Sequence, residues 1–271
     1  MHRFNKAIPP LTKVVELAPK RWTKITALSL LGKCYQGIGE LERAIAVYRE
    51  VLAGNYSPST LGALIRLYKK SGRIGEGKRY LDALLSKGKL SASRLFTIGN
   101  MYELLNDYKK AEEVYRKVLE ENPAHSGARK KLAYLLSRRG DLATALSLLE
   151  EGSRMSPNDG TYFLEMGLIY ARMGRLSEEI SAFRRAVELS PKLPQAYFYL
   201  GKALLDANRD PNEVIALAKK GLSLTPSPYF KPFGHYLLSD AYLRLGRRKE
   251  SDAEYRIAKS LEEKLSRQPH P

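Results

Sequence analysis

Cysteine and histidine are scarce in this sequence, which has one cysteine, Cys34, and four scattered histidines among 271 residues. A lone cysteine excludes an internal disulfide and a cysteine-based zinc site, and the histidines form no cluster along the chain. We therefore expect no metal and no cofactor. Cys34 falls within a predicted helix beside Tyr35, where a buried structural thiol is favoured over a nucleophile.

Motifs that support catalysis are also missing from the sequence. It has no GxxxxGK[ST] loop, no GxGxxG after a strand and no nucleophile elbow, and its glycines are spread along the chain. Pairs of glutamates such as Glu112-Glu113 fall on predicted helices, where they provide solvated charge rather than an acid/base pair. The sequence therefore predicts a protein that is not an enzyme.

Long apolar runs and acidic residues are in short supply. No run reaches about 18 apolar residues, and the N-terminus lacks the apolar core of a signal peptide, so we expect a cytoplasmic protein without a membrane span. Asp and Glu number 29 against 46 Lys and Arg, which gives a net charge of +17. Such a charge attracts anionic partners, although basic residues that merely solvate helix faces would give the same balance.

What the chain does contain is a pattern that recurs about every 34 residues. In the stretch 92–125, two apolar series at helical spacing are separated by Asn106, which predicts two amphipathic helices joined by a tight turn. A glycine or asparagine marks the equivalent turn in every period, because both residues tolerate a positive φ. These turn residues are Gly39, Gly72, Asn106, Gly140, Gly174, Asn208 and Gly246.

Other positions keep step with these turns. A small residue usually precedes the turn by seven positions, and a bulky residue follows that small residue after three more: Tyr35, Tyr68, Tyr102, Leu136, Tyr170, Leu204 and Tyr242. The second helix carries an alanine in several periods and a larger apolar residue four positions later, and a proline ends most periods. Small residue, aromatic, alanine, aromatic and proline in this order resemble the tetratricopeptide repeat.

The resemblance covers about seven repeats and implies an all-α fold, a right-handed superhelical α-solenoid of helix-turn-helix repeats. The predicted repeats are 25–57, 58–91, 92–125, 126–159, 160–193, 194–228 and 232–265. Residues 1–24 should form a partial repeat, with one N-terminal helix that Pro9-Pro10 confine to about residues 10–18. This half-repeat would fit a fragment of a longer chain, a start codon placed late, or a lone helix that covers the first full repeat. Residues 266–271 are expected to be a frayed tail.

The resemblance also implies a function. In that family the first helices of the repeats line a concave face, where extended or helical peptides bind. We therefore expect a non-enzymatic scaffold whose basic groove binds an acidic or mixed peptide segment of a partner protein, because Lys and Arg bind carboxylates and aromatic rings give rigid contacts. By helical spacing, the candidate binding residues are Arg66, Lys69, Lys70, Phe96, Asn100, Lys130, Tyr134, Arg138, Arg172, Phe198, Lys202, Tyr236 and Arg244.

Alternatives stay open at this point. Phe198 and Tyr134 could pack against a neighbouring repeat rather than face a ligand. A helical repeat of such positive charge could instead hold RNA, and this is the runner-up function. The chain could also be the interaction module of a larger enzyme or assembly. Self-association through the terminal repeats is a further expectation.

Overall fold

The computed structural model describes residues 2–18 and 20–267, and within these ranges it contains fifteen helices and no strand. The helices are α1 His2–Leu17, α2 Arg21–Ile38, α3 Leu41–Gly54, α4 Pro58–Lys70, α5 Ile74–Leu85, α6 Ala92–Leu104, α7 Tyr108–Glu121, α8 Ser126–Arg139, α9 Leu142–Met155, α10 Gly160–Arg172, α11 Leu176–Leu189, α12 Pro194–Asp206, α13 Pro211–Ser223, α14 Lys231–Arg244 and α15 Arg248–Ser266. The prediction of an all-α array of helix-turn-helix repeats is confirmed.

The chain divides into two compact units, Met1–Ala128 and Arg129–Pro271, and α8 crosses the division. In the N-terminal unit, α2 pairs with α3, α4 with α5 and α6 with α7. In the C-terminal unit, α10 pairs with α11, α12 with α13 and α14 with α15. Each pair is one predicted repeat, while the residue bounds proposed for the repeats stay a prediction.

All seven predicted turn residues adopt a left-handed backbone. Their φ values lie between 50° at Asn208 and 98° at Gly140. In each turn, the next residue's backbone N–H donates to the carbonyl five residues before it, as from Asp107 to Tyr102 (2.8 Å). This bond, typical of the Schellman motif, satisfies a carbonyl at the end of the first helix. The acceptor carbonyl always belongs to the bulky residue of the sequence pattern. The same residue therefore contributes its carbonyl to the turn and its side chain to the packing of the repeat.

The small residue of the pattern lets the two helices of a repeat touch. A Cβ placed on Gly32 would lie 2.5 Å from the ring of Tyr48, and one on Gly99 would lie 2.5 Å from the ring of Tyr115. Gly167 faces Phe183 in the same way. The rings of Tyr48, Tyr115 and Phe183 are buried. Glycine at these positions therefore makes room for the largest side chain of the repeat core.

The N-terminal helix corrects one expectation. Helix α1 begins at His2 and continues through Pro9 and Pro10, whereas the sequence predicted a start near residue 10. The prolines remove the donors for the carbonyls of Asn5 and Lys6, and both residues are exposed, so water can satisfy these carbonyls. The ring of Phe4 lies against Gly37 of α2, which holds the first turn of α1 in place.

The C-terminal helix is also longer than predicted. Ser266 is the last residue of α15, and its hydroxyl donates to the carbonyl of Glu263 at 2.9 Å, whereas the sequence placed it in the frayed tail. Residues 268–271 of that predicted tail lie outside the described residues. Across residues 2–18 and 20–267, no helix combines the length and the apolar character that crossing a bilayer requires.

Candidate functional site

The first helices of neighbouring repeats adjoin within each unit. In the N-terminal unit α4 contacts α6, and α2, α3 and α4 enclose a cavity of about 450 Å³, which we call the α2–α4 groove. In the C-terminal unit α12 contacts α14, and a cavity of about 200 Å³ lies between them. We call the exposed surface of the first helices α2, α4 and α6 in the N-terminal unit the first-helix face, because the predicted cations Arg66, Lys69 and Lys70 lie on it.

Three predicted cations share α4 but differ in environment. Arg66 is exposed and lines the α2–α4 groove. Lys69 donates from Nζ to the carbonyl of Leu104 at 2.8 Å, so it closes the end of α6 in the next repeat. Lys70 is exposed at the last turn of α4. Within the described residues, neither Arg66 nor Lys70 makes an ion pair or hydrogen bond.

Asn100 and Phe96 lie on α6 beside the buried Tyr115. The Tyr115 hydroxyl is 2.7 Å from Asn100 Oδ1 and 2.5 Å from Glu103 Oε2. Burial, reinforced by the hydrogen bond to Glu103, raises the pKa of Tyr115, so its hydroxyl stays a neutral donor. This contact turns the oxygen of Asn100 inward and leaves its amide nitrogen able to donate to a ligand. Phe96 packs on the rings of Tyr115 and His125.

In the C-terminal unit, Lys130 supports a neighbouring helix. Its Nζ lies 3.0 Å from Asp159 Oδ2 and 2.6 Å from Thr161 Oγ1. Asp159 is the N-cap of α10 and accepts a hydrogen bond from the Thr161 backbone N–H. Lys130 therefore holds the start of α10, and a peptide would have to compete with these contacts for it.

Two predicted arginines clasp the preceding repeat. Arg172 donates from Nη1 to the carbonyl of Ser137 and to its hydroxyl, the latter at 2.6 Å. Arg244 donates from Nη1 to the carbonyl of Leu205 at 2.7 Å and to Asn208 Oδ1 at 2.8 Å. Both acceptor carbonyls lie in the last turn of a first helix, where a positive charge also meets the negative end of the helix dipole. Both arginines therefore cap the C-terminal end of a first helix, and a ligand would have to compete for them.

The remaining predicted residues of this unit differ in the contacts that they make. Lys202 pairs with Asp206 on the same helix, with Nζ 2.6 Å from Oδ2. The Tyr236 hydroxyl donates to Glu262 at 2.7 Å, and this hydrogen bond, followed by burial, raises the pKa of Tyr236 to about 12. Tyr134 is 47% exposed, and the guanidinium of Arg138 lies 5.9 Å from the centre of its ring.

The prediction that Phe198 binds a ligand is wrong, because the residue is buried. Its side chain is 0% exposed, and the ring occupies the space beside Gly221 and meets Phe233 edge-on at 6.1 Å. It fills the core of the C-terminal unit, as the alternative reading allowed. Helical spacing cannot separate a lining position from a core position when neighbouring helices cover it on both sides.

Sequence reasoning missed Lys33, which lines the α2–α4 groove together with Arg66. Both residues directly follow the repeat's small-residue position, held by Gly32 and Ile65. Extending the predicted register into the first repeat would have found Lys33. The groove also exposes hydroxyl and amide side chains, so it can donate hydrogen bonds to an anion.

Comparison with known proteins agrees with the repeat pattern. Tetratricopeptide repeat models match residues 27–62, 63–126, 104–166 and 161–193. A crystal structure of MamA has a TM-score of 0.53 with 22% identity, covering 63% of this chain and 98% of the MamA chain. At this identity the likeness shows the fold alone.

Two curated relatives show how widely the repeat occurs. BBSome complex member BBS4 of Bos taurus is 22% identical over 219 residues, covering 78% of this chain and 40% of that protein. Protein O-mannosyl-transferase TMTC1 of Homo sapiens is 23% identical over 180 residues, covering 65% of this chain and 20% of that protein. The chain thus spans less than half the length of either relative. The four matched models, the helix pairs and the seven left-handed turns show that the chain belongs to the tetratricopeptide repeat family.

Proposed function

We propose that this chain is a non-enzymatic scaffold that binds an acidic or mixed peptide segment of a partner protein along its first-helix face. The observation that carries the proposal is the pair Arg66 and Lys70 on α4. Both are exposed, and neither forms an ion pair or hydrogen bond within the described residues. Exposed cations beside a polar groove attract carboxylates, and arginine can bind them through two parallel hydrogen bonds.

The relatives support a role in assemblies. BBS4 is named as a member of a complex, and we propose that this chain likewise joins other proteins, in the cytoplasm. TMTC1 is named as a transferase, and the matched residues are a fifth of it. This supports the variant of the proposal in which the chain supplies the interaction part of a larger enzyme or assembly.

Capture of partners from lysate tests the scaffold proposal. The wild-type chain is compared with a variant carrying Arg66→Glu and Lys70→Glu, and captured proteins are quantified by mass spectrometry. We expect at least about a tenfold loss of a defined set of partners, because reversal replaces attraction by like-charge repulsion at both positions.

A matched control separates this effect from total charge. Lys109→Glu with Lys117→Glu changes the net charge equally but acts on α7, a second helix, where both side chains are exposed. The control should keep the wild-type partners. Equal partner lists for all three proteins would show that the first-helix face does not bind the partners. Equal losses in both variants would show that only the net charge matters.

RNA remains the second candidate function because a net charge of +17 supplies nonspecific affinity for phosphates. Proteins that read single-stranded RNA stack its bases on exposed aromatic rings. The α2–α4 groove has one aromatic lining residue, Tyr48, which is 2% exposed. The groove therefore favours a peptide over RNA.

A further inference from the structure

We propose that the α2–α4 groove is a phosphate-binding subsite, in which Lys33 and Arg66 hold a phosphorylated side chain of the partner segment. The inference rests on the proposed function and adds the chemistry of the group that anchors the peptide. It concerns only the N-terminal unit, because every residue involved lies before Ala128.

The α2–α4 groove is lined mostly by polar side chains. Nine of its twelve lining residues carry polar side chains. Within the part of the chain that the structure describes, no Asp or Glu lines the groove. Ser59 and Thr60 line it from the first turn of α4, while Lys33 and Gln36 line it from α2. Hydroxyl, amide, ammonium and guanidinium groups all donate hydrogen bonds, so the groove is built to surround a group that only accepts them.

Acidic side chains are absent from the described lining of the groove, so the charges of Lys33 and Arg66 are uncompensated there. No ion pair or hydrogen bond of Lys33 or Arg66 occurs within the part of the chain that the structure describes. The cavity between α12 and α14 is the contrast, because Lys202 and Arg244 share it with Asp206 and Asp240. That cavity contains two cations and two carboxylates, whereas the α2–α4 groove contains two cations alone, so only the latter has a net positive charge to offer an anion.

The side chain of Arg66 lies along its own helix, on the side that lines the groove. Its Nη1 lies 3.4 Å from where a Cβ on Gly62 would be, so the side chain folds back along α4 toward Ser59 and Thr60. Its positive charge also reaches the hydroxyl of Tyr48, where it partly offsets the rise in the pKa of Tyr48 that burial causes. Thr60 is 8% exposed, and within the described residues its hydroxyl makes no hydrogen bond. The Arg66 guanidinium and the Thr60 hydroxyl thus line one space, together with Ser59, whose hydroxyl is 2.9 Å from that of Ser57.

This set of groups suits a phosphate better than a carboxylate. A phosphorylated serine carries a charge of about −1.5 to −2 at pH 7 and three strong acceptor oxygens. A carboxylate carries one charge on two oxygens and would leave part of the groove's charge and donors without a partner. Two cations with flanking hydroxyls therefore match the phosphate in both charge and hydrogen-bonding capacity.

Arrayed peptides test the subsite directly. Three degenerate libraries are compared, with phosphoserine, serine or glutamate fixed at the centre, together with a labelled oligouridine. The proteins are wild type, Lys33→Ala with Arg66→Ala, and the control Lys109→Ala with Lys117→Ala. We expect wild type and control to bind the phosphoserine library at least about tenfold more strongly than the serine library, and the groove variant to lose this preference. Unchanged thermal unfolding of all three proteins establishes that they are folded.

Each other result contradicts the inference in its own way. Equal binding of the glutamate and phosphoserine libraries would identify a carboxylate subsite. A phosphoserine preference that survives in the groove variant would place the phosphate elsewhere. Oligouridine binding that is stronger than all three libraries and is lost in the groove variant would assign the groove to RNA.

Phosphatase treatment separates this inference from the scaffold proposal. Lysate is treated with phosphatase before capture by wild type and by the Arg66→Glu, Lys70→Glu variant. We expect treatment to remove the partners that depend on these residues. Partners that depend on Arg66 and Lys70 but resist phosphatase would overturn the phosphate subsite and leave the scaffold intact, whereas capture that is insensitive to both would overturn the scaffold.

Discussion

At the scale of the residue, the approach of Gly99 to Tyr115 shows how much of a repeat depends on one side chain being absent. The ring of Tyr115 fills the space where a Cβ on Gly99 would stand, and its hydroxyl reaches Asn100 and Glu103 on the same first helix. One glycine thus determines both the distance between two helices and the orientation of a candidate ligand-binding amide. Sequence analysis predicted the small residue but not the amide's orientation.

In Gly99→Ala the ring of Tyr115 must move to admit the methyl group, which costs about 1–3 kcal/mol. Alanine regains roughly 1 kcal/mol over glycine in a helix, so the net destabilisation should be up to about 2 kcal/mol. Urea unfolding followed by circular dichroism measures the change. Gly75→Ala is the control: the nearest atom to its added Cβ is Arg79 Nη1 at 3.9 Å, so we expect no loss. Equal stability of the two variants would contradict the close-packing account.

The seven turns could be predicted from the sequence, whereas the hydrogen-bond partners of individual Lys and Arg side chains could not. The turns follow from local chemistry, because glycine and asparagine tolerate the left-handed backbone wherever they occur. The partner of a long basic side chain is decided by the neighbouring repeat, as Lys69, Arg172 and Arg244 show by donating to carbonyls more than thirty residues away. A register argument carries no information about such contacts, so it overstated the number of cations available to a ligand.

At the scale of the element, helix α7 begins two residues after the left-handed Asn106, and its N-cap residue also contacts the preceding repeat. Asp107 illustrates this at the start of α7. Its Oδ1 accepts a hydrogen bond from the Lys110 backbone N–H at 3.2 Å, and its Oδ2 lies 2.7 Å from the Nζ of Lys78 in α5. Burial alone would raise the pKa of Asp107, but the hydrogen bonds from Lys78 and Lys110 outweigh burial and lower it.

Asp107→Ala should cost about 1–2 kcal/mol at pH 7, through loss of the cap and of the contact with Lys78. Because the folded-state pKa is lowered, this stabilisation is present above the unfolded-state value of about 4 and is lost as the pH falls through the folded-state value. The difference between wild type and variant should therefore shrink below about pH 4. Chemical unfolding measured from pH 3 to pH 7 gives this difference.

Asp107→Asn provides the comparison for this prediction. Asparagine caps helices about as well as aspartate but carries no charge, so its cost at pH 7 should be smaller than that of alanine. A difference between wild type and Asp107→Ala that stays constant from pH 3 to pH 7 would show that the carboxylate's charge contributes nothing.

At the scale of the whole molecule, stability in repeat proteins is approximately a sum of terms within repeats and between neighbours. Buried rings supply much of this within each unit, for example Tyr102 and Tyr115 in the N-terminal unit and Phe183 and Phe198 in the C-terminal unit. Local opening should therefore follow the repeat in which a core residue is lost.

Phe198→Ala should cost about 3–5 kcal/mol, because a fully buried ring leaves a cavity. Amide hydrogen exchange followed by mass spectrometry should accelerate in α11 to α14 and stay unchanged in α2 to α4. Tyr134→Ala, at an exposed predicted site residue, should change stability by no more than about 0.5 kcal/mol. Acceleration spread evenly over residues 2–267 would contradict the local account, and equal effects of the two substitutions would contradict the placement of Phe198 in the core.

The arginine clasps also restrict how such an array can be rearranged. Excising the repeat 160–193 would remove Arg172, the donor to the carbonyl of Ser137. The next repeat would then bring Asp206 to that position, since Asp206 precedes its turn by the same two residues as Arg172. A carboxylate cannot donate to a carbonyl oxygen, and it would meet the negative end of the helix dipole. The repeats are therefore not interchangeable along the chain. Deleting the repeat 160–193 calls for a compensating Asp206→Arg substitution.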